Sequence, residues 1–156
     1  MKNKTKVDEF LKESNAIEGV FDFPSLYWAK KAWGYLIKED EITEAVVLKT
    51  HKILMFPQLI EEKEKGYFRT VPVWIGRGEG LNHLMIKGAM AVWCQNAHLF
   101  PEHWKNHHIR YERIHPFIDG NGRTGRMFMN WQRLKAGLPI LVIKNLEKGD
   151  YYGWFK

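Results

Sequence analysis

A chain of 156 residues has the length of one ordinary domain, and its 45% of apolar residues is enough to bury a real core. With 27% charged residues the composition excludes fibrous and low-hydrophobicity disordered classes, and the single cysteine, Cys94, excludes an intramolecular disulfide. A formal net charge of +6 points to polyanionic partners, which leaves nucleic acid, an acidic protein and a nucleoside triphosphate all open.

Met1 to Lys6 is basic, but Asp8, Glu9 and Lys12 break any apolar run of the signal-peptide kind, and no stretch of membrane length follows. The expectation is a cytoplasmic protein with neither export signal nor anchor, in which Cys94, flanked by Val92 and Trp93, is a packed thiol. Val7, Phe10, Leu11 and Ile17 recur at helical spacing and predict an amphipathic helix over about residues 5–19 that Gly19 terminates. Leu26, Ala29, Trp33, Leu36 and Ile37 predict a second helix after Pro24. Thr43 and Glu44 open a third that Pro57 stops.

Helical spacing disappears at Gly66, and the glycine-bracketed β-branched and aromatic run from there to Gly76 predicts a short hairpin flap over about residues 66–76, with Pro72 confining its strand to an edge. Leu81, Met85, Ala89, Val92 and Trp93 restore helical spacing, and Pro101 with Glu102 opens a helix toward Arg113. The whole reads as one mainly α domain, 1–156, a helical bundle with one flap. Trp28, Trp33, Trp93, Trp104 and Trp131 sit at helical spacing and read as packing. His103 and His107 stand four apart as zinc ligands can, but no third ligand of the right type follows, so packing or exposure is the better reading.

The chemistry concentrates between Ile114 and Arg126. A helix beginning near Asn121 and ending at Gly137 receives a loop that delivers His115 and Asp119 to its N-terminus. Gly120 and Gly122 let the backbone around Asn121 turn its N–H groups outward as an anion nest, to which the helix dipole adds roughly half a positive charge. Arg123 and Arg126 share one side of the first turn, where a cation opposes the dipole at a cost of about 0.3–1 kcal/mol each, a cost that a polyphosphate site accepts. His115 is the natural general base near neutral pH, and Asp119 is a hard oxygen ligand suited to the Mg²⁺ that accompanies polyphosphate.

This segment, His115, Phe117, Asp119, Gly120, Asn121, Gly122, Arg123 and Arg126, resembles the signature of the Fic family at every fixed position. The resemblance implies a Fic-type helical bundle and an Mg²⁺-dependent protein adenylyltransferase, a nucleotidyltransferase that moves AMP from ATP to a Ser, Thr or Tyr hydroxyl of a target protein, self-modification included. It further implies that His115 deprotonates the hydroxyl and that Asp119 holds Mg²⁺ between the α- and β-phosphates. Gly120, Asn121 and Gly122 would form the nest, Arg123 would steady the phosphates and Arg126 would clamp the γ end. Members that phosphorylate instead carry Lys where this chain has Gly122.

Two further segments carry looser resemblances. Gly66, Tyr67 and Arg69 match the opening of the family's target-docking hairpin, whose edge pairs with an extended target segment. Ser14 to Gly19 is similar to the family's inhibitory motif, with Ser14 and Glu18 as its fixed polar residues, and implies that Glu18 pairs with Arg126 and denies it to the γ-phosphate. Physically, Phe10, Ser14 and Glu18 stack at four-residue spacing, and an inward carboxylate needs a cation. The alternatives are removal of AMP, with Glu18 orienting a water, and a nucleic-acid-binding protein that uses the +6 charge, which the signature makes the weaker reading. The chain ends soon after the signature helix, so the later helices of longer members are expected to be truncated.

Overall fold

The computed structural model describes residues 2–156. Helix α1 (Lys2–Ile17) turns Phe10, Leu11, Ser14, Asn15 and Ile17 inward. It ends in a Schellman turn, with Gly19 at φ +71, its N–H on the Ala16 carbonyl (2.9 Å) and the Val20 N–H on that of Asn15 (3.0 Å). The helix stops short of the predicted residue 19, so Glu18 is its half-in terminal residue.

Helix α2 (Phe23–Leu36) is capped by Asp22, whose carboxylate accepts from the Ser25 N–H and hydroxyl at 2.9 Å each. Helix α3 (Glu44–Leu54) begins as predicted at Thr43, whose hydroxyl accepts from the Val46 N–H (3.2 Å), and it ends before Pro57. The hairpin is shorter and later than expected, pairing β1 (Trp74–Ile75) antiparallel with β2 (Gly78–Glu79) in the register Trp74 to Glu79 and Ile75 to Gly78. Residues 66–72 stay outside it because Arg69 ties them to the loop below.

Helix α4 (Ile86–Leu99) follows a 3₁₀ turn, His83–Met85, and buries Ile86, Met90, Trp93, Cys94 and Ala97. Met85 and Val92, expected inside, are exposed, because the turn offsets the helical stripe from the one that begins at Leu81. Burial pushes the Cys94 thiol up to about 12, so it is an inert packed group. Helix α5 (Trp104–Ile114) and α6 (Asn121–Lys135) pack together at the centre, and α1 lies against α6. A short helix α7 (Lys148–Tyr152), not foreseen from the sequence, buries Tyr151.

The core joins Phe10, Leu36, Val47, Leu54, Met90, Tyr111, Phe128 and Trp131 from all the long helices, with Phe117 from the loop before α6. Each such side chain stabilises the fold by roughly 1.5–3 kcal/mol, and together they fix the end of α6 against α1 and α5. Trp33, Trp93 and Trp131 are buried as expected, while Trp28 packs against Phe56, tilted by 33° with ring centroids 4.2 Å apart, and Arg133 lies 4.5 Å over the Trp104 ring. His107 bonds Gln132 through Nδ1 (2.6 Å).

Candidate active site

The loop from His115 to Gly120 is held in one shape by four side chains. His115 follows α5 in the left-handed region at φ 50, the one non-glycine residue to do so among those described. That conformation costs about 1 kcal/mol or more and persists only where neighbours over-determine it. Arg69 supplies the constraint. Its Nε donates to the His115 carbonyl (2.7 Å), its Nη2 to those of Ile114 (3.2 Å) and Leu81 (2.5 Å), its Nη1 to that of Val71 (2.8 Å), and its backbone N–H to Pro116 (2.9 Å).

Phe117 is fully buried and stacks on His51 with ring centroids 3.7 Å apart. Asn121 brackets it, accepting from the Phe117 N–H and donating to the Phe117 carbonyl, both at 2.8 Å. His51 accepts from the Gly66 N–H at Nδ1 (3.0 Å), so its proton sits on Nε2 and bonds the Asp119 carbonyl (2.8 Å). Burial lowers the His51 pKa to about 4, so this brace stays neutral. Gly120 lies at φ +85, where an added Cβ would meet the Met55 sulfur.

His115 Nδ1 faces the Glu112 carbonyl (3.1 Å) and therefore carries the proton, which leaves the Nε2 lone pair to the cleft. Burial lowers its pKa below the usual 6.5, against a partial lift from the Glu112 carbonyl. A neutral imidazole at pH 7 with one free nitrogen is suited to accept a proton.

The first N–H groups of α6, from Asn121 to Arg123, lack intrahelical partners by construction, and of these residues Gly122 lines the cleft described below. Arg123 is 2% exposed, with Nη2 3.4 Å from the Met55 sulfur, and its Nε and Nη1 have no partner. Burial lowers its pKa, partly offset by Asp119. Both nitrogens are shielded from solvent, and Arg123 is not among the residues that line that cleft. Asp119 is exposed at the loop edge, with Oδ1 accepting from the Gly120 N–H (2.7 Å).

Arg126 is 2% exposed and ringed by partners. Its Nε donates to the Ser14 hydroxyl (2.8 Å), its Nη2 to the Ser14 carbonyl (2.9 Å) and to Glu18 Oε1 (2.7 Å), and its Nη1 to the Tyr151 hydroxyl (3.2 Å). Burial pulls its pKa down, but Tyr151, Glu18 and Glu112 raise it past its ordinary value, so it stays charged. Glu18 reaches it across Gly122, where any side chain would collide with both Glu18 and Arg126.

His115, Glu18, Gly122 and Arg126 line one cleft of about 640 Å³, closed above by Ile75, Gly76, Gly78 and Glu79 of the hairpin and at the side by Tyr151, Tyr152 and Phe155. Of the three residues read as the flap's opening, Gly66 bonds His51, Arg69 is spent on loop carbonyls and Tyr67 is exposed. On the hairpin itself the exposed aromatic is Trp74. Glu112 also lines the cleft. Its shielded Oε1 has no partner, and burial, opposed by Arg126 and aided by Glu18, lifts its pKa to about 7. Sequence reading missed Tyr151, His51, His108 and Glu112, which no contiguous pattern marks.

The model of the Fic/DOC family matches residues 41–132, more than half of the chain. The protein adenylyltransferase Fic of Drosophila erecta is 33% identical over 129 residues, which cover 78% of this chain and 26% of the relative. That of Drosophila ananassae is 32% identical over 129 residues. This chain thus spans about a quarter of the length of these curated relatives. Among solved structures, a Fic-domain signaling protein from Bacteroides thetaiotaomicron superposes with TM-score 0.80 at 21% identity, over 97% of this chain and 70% of that one. Fic-1 from C. elegans gives 0.77 at 18%, over 98% and 55%. The likeness to both is one of fold, and with the family match over the signature loop it makes this chain a member of the Fic/DOC family.

Proposed function

We propose that the protein is an adenylyltransferase that moves AMP from ATP to a hydroxyl side chain of a target protein, and that Glu18 holds it back. The observation that carries this reading is the bond from Arg126 Nη2 to Glu18 in the cleft that also holds His115 and Gly122. The α-phosphate would rest on the first N–H groups of α6 at Gly122, with Arg126 reaching the γ end and Arg123 turning its now shielded donors to the phosphates. His115 Nε2 takes the proton of the target hydroxyl as that oxygen bonds the α-phosphorus. The bond from the α-phosphorus to the bridging oxygen breaks, and pyrophosphate leaves.

Asp119 is the residue that would hold Mg²⁺, and the exposed carboxylate beside the orphaned Arg123 fits a metal shared with phosphates. The metal would neutralise phosphate charge. The edge of the hairpin, with Trp74 and Tyr67 exposed, would take an extended target segment by strand addition, and Arg69 would serve as its root rather than its contact. No helix among the described residues is long and apolar enough to cross a membrane, and the buried Cys94 suits a reducing cytoplasm.

The test is transfer of label from α-labelled ATP, with Mg²⁺, into a cell lysate or the protein itself. Glu18→Gly protein is expected to transfer, and Glu18→Gly/His115→Ala to transfer nothing while keeping its thermal transition. Label carried equally by both would remove His115 from the reaction. A second reading, hydrolytic release of AMP, is favoured by the 38% exposure of the Glu18 carboxylate within the cleft, enough to orient a water. Release of label from a modified target by the wild type, lost in Glu18→Gly, would support it.

A further inference from the structure

On one side of Arg126 stands α1, whose Ser14 and Glu18 both belong to the inhibitory reading. Opposite it, the Tyr151 hydroxyl accepts from Nη1 (3.2 Å), the guanidinium carbon lies 5.6 Å over the Tyr151 ring, and the same hydroxyl meets His108 Nε2 at 2.7 Å. Tyr151 and His108 are 3% and 1% exposed, so water does not complete this chain of bonds.

A phenol has one hydrogen. Arg126 can only donate, so that hydrogen is free to go elsewhere, and the acceptor within reach is His108 Nε2. With the phenol hydrogen directed at Nε2, a neutral His108 carries its own proton on Nδ1, which is buried and has no hydrogen-bond partner. Burial, with Arg126 nearby, does lower its pKa to about 3, and burial raises that of the Tyr151 phenol, so neither group ionises near pH 7. The bonds therefore run in one direction, from Nη1 to the phenol oxygen and from the phenol to His108.

We infer that Tyr151, backed by His108, is a positioning residue that holds the Arg126 guanidinium in the plane in which it meets the terminal phosphate once Glu18 has withdrawn. Ser14 fixes Nε and one edge of Nη2, and Tyr151 fixes one edge of Nη1. The remaining N–H of Nη1 and the Nη2 donor now given to Glu18 form the pair available to a ligand. Without Tyr151 the Nη1 end has no fixed partner, and the fork loses the preset orientation on which bidentate binding depends.

This rests on the reading that Arg126 takes the end of a triphosphate, and the experiment separates the two. In Glu18→Gly/His115→Ala protein, which binds without turnover, calorimetry gives the affinities for MgATP and MgADP. Adding Tyr151→Phe, which deletes only the hydroxyl, is expected to weaken MgATP roughly tenfold, the scale of one bond to a charged group, and to change MgADP less than about twofold. Adding Arg126→Lys should erase the difference between proteins with and without Tyr151→Phe, because the bonded Nη1 is gone.

His108→Leu, which removes the acceptor, should reproduce the ATP-selective loss, and His108→Gln, which keeps one, should not. These two variants carry the test if Tyr151→Phe does not fold. A parent that binds MgATP no better than MgADP and ignores Arg126→Lys overturns the clamp reading and this inference with it. A parent that prefers MgATP, and still prefers it equally with Tyr151→Phe, or loses both nucleotides in parallel, overturns the inference alone.

Discussion

Replacing Glu18 by Gly removes one carboxylate from a guanidinium that keeps three other bonds. A hydrogen bond to a charged group contributes about 1.5–3 kcal/mol, and the 38% exposure of the Glu18 side chain puts this pair at the lower end, about 1.5–2 kcal/mol, because water screens it. At 1.4 kcal/mol per factor of ten, transfer should rise about 10- to 30-fold, and further where Glu18 also blocks space over Gly122. The same substitution strips Arg126 of its nearest negative charge, so the nucleotide-free protein should melt lower by roughly 3–8 °C for a domain of this size. ATP should restore more of that loss than ADP does. Initial rates of label transfer at several ATP concentrations, with melting curves in parallel, make the assay. Unchanged rates together with an unchanged melting temperature would mean that the bond to Arg126 is neither an inhibitor nor a stabiliser, and the reasoning would fail at its first step.

Asp119→Ala should make ATP affinity nearly the same with and without Mg²⁺, measured by titration in chelator and in metal, because the exposed carboxylate is the hard ligand at the loop edge. Arg69→Met strands four buried or part-buried carbonyls and should cost about 2–4 kcal/mol in urea unfolding while abolishing transfer, since the left-handed His115 loses its brace. Glu112 gives a pH signature. Its carboxyl is held near 7 in the fold against an ordinary 4.5, so its contribution is fully present below pH 4.5 and is lost as pH rises through 7, up to roughly 3 kcal/mol in all. The buried His51 and His108 act in the opposite sense, losing stability as pH falls below 6.5, so the quantity to measure is the urea midpoint of wild type minus Glu112→Gln at pH 5 and pH 8. That difference should shrink or reverse toward pH 8, and a constant difference would refute the assignment.

What could be read from the sequence was whatever lies close together along it. The nest, its two arginines and His115 occupy a dozen positions whose roles follow from a loop meeting a helix N-terminus, and Gly19 marks the turn that leaves Glu18 at a helix end. The braces could not be read. His51, Arg69 and Tyr151 come from three distant segments, and each bonds backbone or a lone side-chain atom, a partnership with no periodicity to betray it. The hairpin lies later than its composition predicts for a related reason. Gly66 to Val71 has strand composition, but the Arg69 backbone and side chain bond the signature loop, leaving Trp74 to Glu79 to pair. In α4 the helical spacing that starts at Leu81 misplaces the inward face, because a 3₁₀ turn shifts that face to begin at Ile86.

The ends of α1 and α6 compensate each other's charges. Arg126 stands in the second turn of α6, past the first turn where it was expected and where the dipole acts most on a cation, and Glu18 stands at the C-terminal end of α1, where the dipole disfavours an anion. Across the gap each meets the other's helix end. Arg126 Nη2 takes the Ser14 carbonyl, which the 3₁₀ closure of the Glu18 N–H on Asn15 has left without a helical donor, and Glu18 lies over the first turn of α6 at Gly122. Docking of α1 therefore does not depend on the carboxylate. Lifting the helix away would expose Phe10, Leu11 and Ile17, each 5% exposed or less, at roughly 1.5–3 kcal/mol apiece, and would break both Ser14 bonds as well. Swinging the Glu18 side chain out forfeits one screened bond of about 1.5–2 kcal/mol. With at least a twofold difference between the two routes, release of Arg126 is expected by rotation of the Glu18 side chain into solvent, with α1 and the Ser14 contacts that orient the guanidinium left in place.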